Sequence, residues 1–152
     1  PPRSAWLVAA GSLSAAASIL HLAVIAGGPD WYRFFGAGEG MALRAARGEL
    51  YPAIVTLGIA TVLAIWAAYA FSGAGLIRRL PLLRTGLVTI SAVYLLRGLV
   101  PAPILLFDPE ALTPFAIWSS LIVFVYGLAY AVGTWRSWDR LSQRESSYAL
   151  GS

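Results

Sequence analysis

The chain has no cysteine and no lysine, one histidine, one methionine and only seven carboxylates in 152 residues. The first absence excludes disulfides, thiol redox catalysis, covalently attached c-type haem and thiolate metal sites together. One imidazole and a few scattered carboxylates do not furnish a protein-only zinc or di-iron centre. Haem b would need a second axial ligand, which His21 cannot supply without a homodimer or an unusual partner. No cofactor and no metal is therefore expected. No nucleophile–base pair can be recognised from spacing either, so no residue is assigned as catalytic.

Charge of either sign is scarce, at 12% of residues, whereas 59% are hydrophobic and the mean hydropathy is +0.72. Soluble domains carry about twice that charge. The net charge of +4 is all arginine. No basic patch is interleaved with aromatics as in single-strand binders, so nucleic acid is not an expected partner. The arginines instead flank apolar runs, where membrane topology and anionic headgroups account for them.

Four of those runs are long enough for the roughly 20 residues that cross a bilayer. They lie at about 5–26, 50–71, 85–106 and 113–135, with a loop at 27–49 and a tail at 136–152. The first run competes with a cleaved signal peptide, because small residues precede Gly27, but it is too long for a typical signal core. Gly11, Ser14, Ser18, His21 and Ile25 form one stripe of it, as closely packed membrane helices require. Tyr51, Ile54, Gly58, Thr61 and Ile65 are the expected inner stripe of the second run, which carries Pro52 in its first turn. Ser120, Val123, Gly127, Tyr130 and Thr134 are that of the fourth, with Thr113-Pro114 as its cap.

The third run, Leu87–Pro103, has Arg97 set inside it. Pro101 and Pro103 are expected to end its helix near Val100, leaving Ile104–Phe107 as extended chain. Between the first two runs, Gly27-Gly28-Pro29-Asp30 is a helix stop and Gly36-Ala37-Gly38 a hinge. Glu39–Arg47 reads as a short surface helix closed by Gly48. In the tail, Trp138 and Leu141 alternate with Arg140 and Arg144, which suggests a segment lying on the membrane surface.

Arginine counting sets the topology. Arg3, Arg78, Arg79, Arg84, Arg136, Arg140 and Arg144 fall on one side, and Arg33, Arg44 and Arg47 on the other, which puts both termini in the cytoplasm. The expected fold is an all-α, integral membrane four-helix bundle with both termini inside. An alanine- and arginine-rich composition fits a GC-rich bacterium and its inner membrane.

This topology gathers polar side chains in the outer leaflet. A guanidinium in hydrocarbon costs roughly 2.5–3.5 kcal/mol, so Arg97 must snorkel, pair with Glu39 or Glu49, or face a wet cavity. His21 is either a buried donor or a proton carrier. Tyr94 lies one turn from Arg97; Tyr51 and Trp118 begin their helices on the same side. An outward-facing pocket on His21, Arg97, Tyr94, Glu39, Glu49, Tyr51 and Trp118 suits a small anionic or amphipathic ligand resembling a lipid headgroup, since arginine's planar fork matches phosphate or carboxylate. Membrane lipid is the other expected partner, and a homo-oligomer stays open. Two other classes compete: an accessory subunit packing through its small-residue stripes, and a membrane enzyme or small transporter using His21 and Arg97. No span holds a carboxylate, which argues against cation antiport of the small multidrug type.

His21, Gly27-Gly28, Leu80-Pro81-Leu82-Leu83-Arg84 and Tyr94-Leu95-Leu96-Arg97 together resemble a family of small four-span bacterial membrane proteins of unknown function. The likeness covers the first two-thirds of the chain, without the loop Trp31–Glu49. It implies four spans and a paired role for His21 and Arg97, and brings no activity.

Overall fold

The computed structural model describes residues 4–142. Arg3, Arg144 and the tail from 143 onward, which entered the topology and surface-segment readings, lie outside the described residues. Among those described the fold is all-α. Helix α1 spans Ala5–Gly27, α2 Pro29–Phe34, α3 Glu39–Ala46, α4 Tyr51–Gly73, α5 Leu83–Leu99, α6 Pro101–Phe107 and α7 Pro114–Arg136. Four helical stretches are long and apolar enough to cross a membrane: α1, α4, α5 continued by α6, and α7. At 1.5 Å per residue a 23-residue helix is about 35 Å long, against a hydrocarbon core of about 30 Å. Ile19, Leu20, Leu57, Ile65, Leu106, Leu121 and Ile122 are all exposed around its flanks, as in a surface that lipid covers.

The helix limits follow from local chemistry. Ser4 caps α1 by accepting from the Leu7 amide at 3.3 Å, and Thr113 caps α7 by accepting from the Ala116 amide at 3.1 Å. Gly28, at φ +78°, turns the chain from α1 into α2. Ser72 staples the α4–α5 turn, donating to the Arg78 carbonyl and accepting from the Leu80 amide, both at 3.0 Å.

Helix α1 packs chiefly on α4, α5 on α7, and an α1–α7 seam joins the two pairs. The α5–α7 approach is closest where two glycines meet backbone. A Cβ on Gly98 would fall 2.8 Å from the Phe124 Cα, and one on Gly127 would fall 2.9 Å from the Leu95 nitrogen. At the centre, Ser14 of α1 lies 2.8 Å from the hydroxyls of both Tyr94 (α5) and Tyr130 (α7), and Tyr130 donates to the Trp66 carbonyl of α4 at 2.9 Å. Tyr94 also sits edge-on to Trp66 and Tyr126.

Three expectations are corrected. The expected inner stripe of the second span faces outward: Tyr51, Ile54, Gly58, Thr61 and Ile65 are exposed, whereas Pro52, Thr56, Ala60, Leu63, Ala67 and Ala70 are buried. Every face of α4 is apolar, so hydropathy does not orient it; the small side chains that permit close approach to α1 do. Next, the chain stays helical past Val100, which keeps α-helical torsions of −53° and −40°. Pro101 starts α6 at its first turn, where a missing N–H costs little, so the break is a register change rather than an end. Finally, Leu141 is buried in the core, so the stretch 138–142 turns onto the helix ends instead of lying flat.

Candidate functional site

At the end of the molecule formed by the α1–α4 connection, α2 and α3 fold down over the helices. Tyr32 and Ala42 bury against Val24, and Thr56 faces the Tyr32 hydroxyl at 3.4 Å. Gly36 and Gly38 carry positive φ angles of +77° and +94°, which lets the chain reverse between the two short helices. The Gly36 backbone lies against the Phe115 ring, in the first turn of α7.

Arg33 fixes this loop. Its Nε and Nη2 donate to the two oxygens of Glu39 at 2.9 and 3.0 Å, and its Nη1 donates to Asp30 at 3.0 Å. The hydrogen bonds from Arg33 hold the Glu39 carboxyl below the usual glutamate range, and Glu39 in turn raises the Arg33 guanidinium.

Beneath the loop is a cavity of about 450 Å³ whose wall includes Arg33, Phe34, Glu39, Arg97, Phe115 and Ser119. Arg97 reaches it because the Gly98 and Gly127 contacts hold α5 against α7, and its Nη1 donates to the buried Ser120 hydroxyl at 2.9 Å. Among the described residues no carboxylate is within ion-pair distance of Arg97. Its charge is therefore paired with no carboxylate among the described residues, although Glu39 lines the same cavity.

Arg97 and Glu39 are thus brought together, and the other expected residues stand elsewhere. His21 does not line this cavity. Its Nδ1 donates to the Ala17 carbonyl at 2.7 Å. Tyr94 is buried at the helix crossing with Ser14. Glu49 pairs with Arg44 at 3.8 Å and Arg47 at 3.9 Å, and Arg44 lies over the Tyr51 ring at 4.7 Å, so these two residues belong to a separate cluster. Trp118 is 67% exposed on the outer surface.

No match comes back from any comparison. Protein-family models, curated proteins and solved structures were all compared with the chain. What stands is the multi-span character of four long apolar helices. No group of three or more metal-capable side chains occurs among the described residues.

Sequence reasoning missed Arg33, Phe34 and Phe115 as cavity residues. The Gly36-Ala37-Gly38 hinge was the available signal, since a reversal there must lay the flanking residues on something. Which helix receives them is set by tertiary packing.

Proposed function

We propose that this is a bacterial inner-membrane protein, a four-helix bundle with both termini cytoplasmic, whose outward-facing cavity binds a small anionic amphiphile. The observation that carries the reading is Arg97: a guanidinium opening onto a cavity of about 450 Å³ and lacking a carboxylate partner. An uncompensated cation there is stabilised by an incoming anion. Arg33 is already engaged by Asp30 and Glu39, so Arg97 is the one guanidinium of the lining left to face a guest, which fits a carboxylate or a phosphodiester better than a dianion. Phe34 and Phe115 supply apolar walls for a hydrocarbon portion. The orientation is supported by Arg78, Arg79, Arg84, Arg136 and Arg140 at one end, against Arg33, Arg44 and Arg47 at the other.

The test is binding of laurate, a singly charged amphiphile, to the purified protein in neutral detergent, followed by calorimetry. Wild type should bind it. Arg97→Ala should abolish binding while the helical circular-dichroism signal and melting temperature stay unchanged. Wild type that binds neither laurate nor a phosphodiester amphiphile, or Arg97→Ala protein that binds as wild type does, overturns the reading.

A further inference from the structure

A second cavity, of about 460 Å³, opens between α5 and α7 at the opposite end and is lined by Val88, Ser91, Ala131, Thr134, Trp135 and Trp138. Its wall is mostly apolar, but one polar group in it is unanswered. Thr134 is only 4% exposed and its hydroxyl has no hydrogen-bond partner among the described residues. Ser91, by contrast, is satisfied by the Leu87 carbonyl at 2.7 Å.

Depth places this groove at the ester zone of a bilayer. Thr134 stands two residues, about 3 Å, before the end of α7. A 23-residue helix overshoots the hydrocarbon core by about 5 Å, so Thr134 lies where glycerol esters of the lipid begin. Trp135 and Trp138 at the same level match the aromatic belt of that zone. Charge at this end is one-sided: Arg78, Arg79, Arg84, Arg136 and Arg140 outnumber Asp139 among the described residues. Arg84 places its guanidinium 3.9 Å above the Trp138 ring, at the edge of the groove. A second copy docking here about a two-fold axis would set this arginine cluster against itself, which disfavours that occupant.

We propose that the α5–α7 groove holds one anionic phospholipid. One acyl chain lies along Val88, Ser91 and Ala131, the ester region stands at the level of Trp135 and Trp138, and the phosphate lies on the Arg84 side. This site is separate from the Arg97 cavity and does not depend on it.

The experiment uses the full chain carrying Arg97→Ala, so that the other cavity contributes nothing, in micelles doped with equal phosphatidylglycerol and phosphatidylcholine. Native mass spectrometry then counts retained lipid. One phosphatidylglycerol should be retained, preferred about fivefold, the weight of one basic residue at an anionic surface. Arg84→Gln should bring the ratio near one, and Val88→Trp, which fills the groove, should remove retained lipid of both kinds without lowering the melting temperature. Equal retention of the two lipids in the unaltered groove overturns the proposal by itself, whether or not the Arg84 variant folds. A preference that survives both substitutions overturns it too, as does a dimer carrying no lipid.

Discussion

Ser14 and Tyr130 stand hydroxyl to hydroxyl, 2.8 Å apart, where α1 crosses α7. Because Tyr130 spends its proton on the Trp66 carbonyl, Ser14 must donate to Tyr130, and Tyr94 must then donate to Ser14. The result is one directed run of hydrogen bonds, α5 to α1 to α7 to α4, that touches all four long helices. Hydrogen bonds between membrane helices contribute about 0.6 kcal/mol each on average.

The direction of that run ranks its variants. Ser14→Ala removes two bonds and strands the Tyr94 proton, so it should cost about 1–3 kcal/mol. Tyr94→Phe removes only the first donor and strands none, so it should cost less, about 0.6 kcal/mol. Unfolding titrated with a denaturing detergent gives both values, and the order matters more than their size.

Glycine substitutions should separate the packed face from the lipid face. Gly127→Val drives a side chain into the α5 backbone and should destabilise by about 1–3 kcal/mol, with loss of the Arg97–Ser120 contact. Gly58→Leu meets nothing within 4 Å and should stay within about 0.5 kcal/mol of wild type. The same titration tests both.

Acid should loosen the loop over the Arg97 cavity. Glu39 is held below its ordinary value of 4.5 by Arg33, so its contribution is complete above about pH 4.5 and is lost as pH falls through the lowered value. Arg33, raised further above its ordinary value by Glu39, stays charged throughout and adds no slope in this window. Protection of the amides across residues 33–39, taken relative to the intrinsic exchange rate at each pH, should fall below pH 4.5, and Glu39→Gln should show the low protection at every pH.

Leu82 holds a left-handed conformation, φ 52° and ψ 40°, just before α5. That region costs a non-glycine residue about 1–2 kcal/mol. Leu82→Asn should raise stability by about 0.5–1 kcal/mol, read as a higher melting temperature.

The legible parts of this chain were those where polar or small residues broke an apolar background. Ser14 and Ser18 of the first span, and Ser120, Gly127, Tyr130 and Thr134 of the fourth, are buried as their spacing indicated. In the second span such residues fell on opposite faces. Lipid and protein interior are equally apolar, so the Gly58–Thr61 face and the Thr56–Ala60 face offered similar patterns, and packing on α1 chose the latter. The site was half legible for a related reason. A charge inside an apolar run marks Arg97 from sequence alone, but its neighbours depend on how the loop closes. Glu39 was expected as a partner of Arg97, and it went instead to Arg33, six residues away in the same loop. His21 found its partner in its own helix, which heptad spacing does not reveal.

The junction of α5 and α6 bears on how the Arg97 cavity can respond to an occupant. Pro101 has no N–H to give the Arg97 carbonyl, which is left with a long 3.4 Å contact from Val100, and Pro103 likewise gives nothing to Leu99. Flexing the span here ruptures no strong rung of its ladder. The third membrane segment is therefore most pliant just past Arg97, so α6 can swing beside the cavity while the glycine-packed helix that carries the guanidinium stays still.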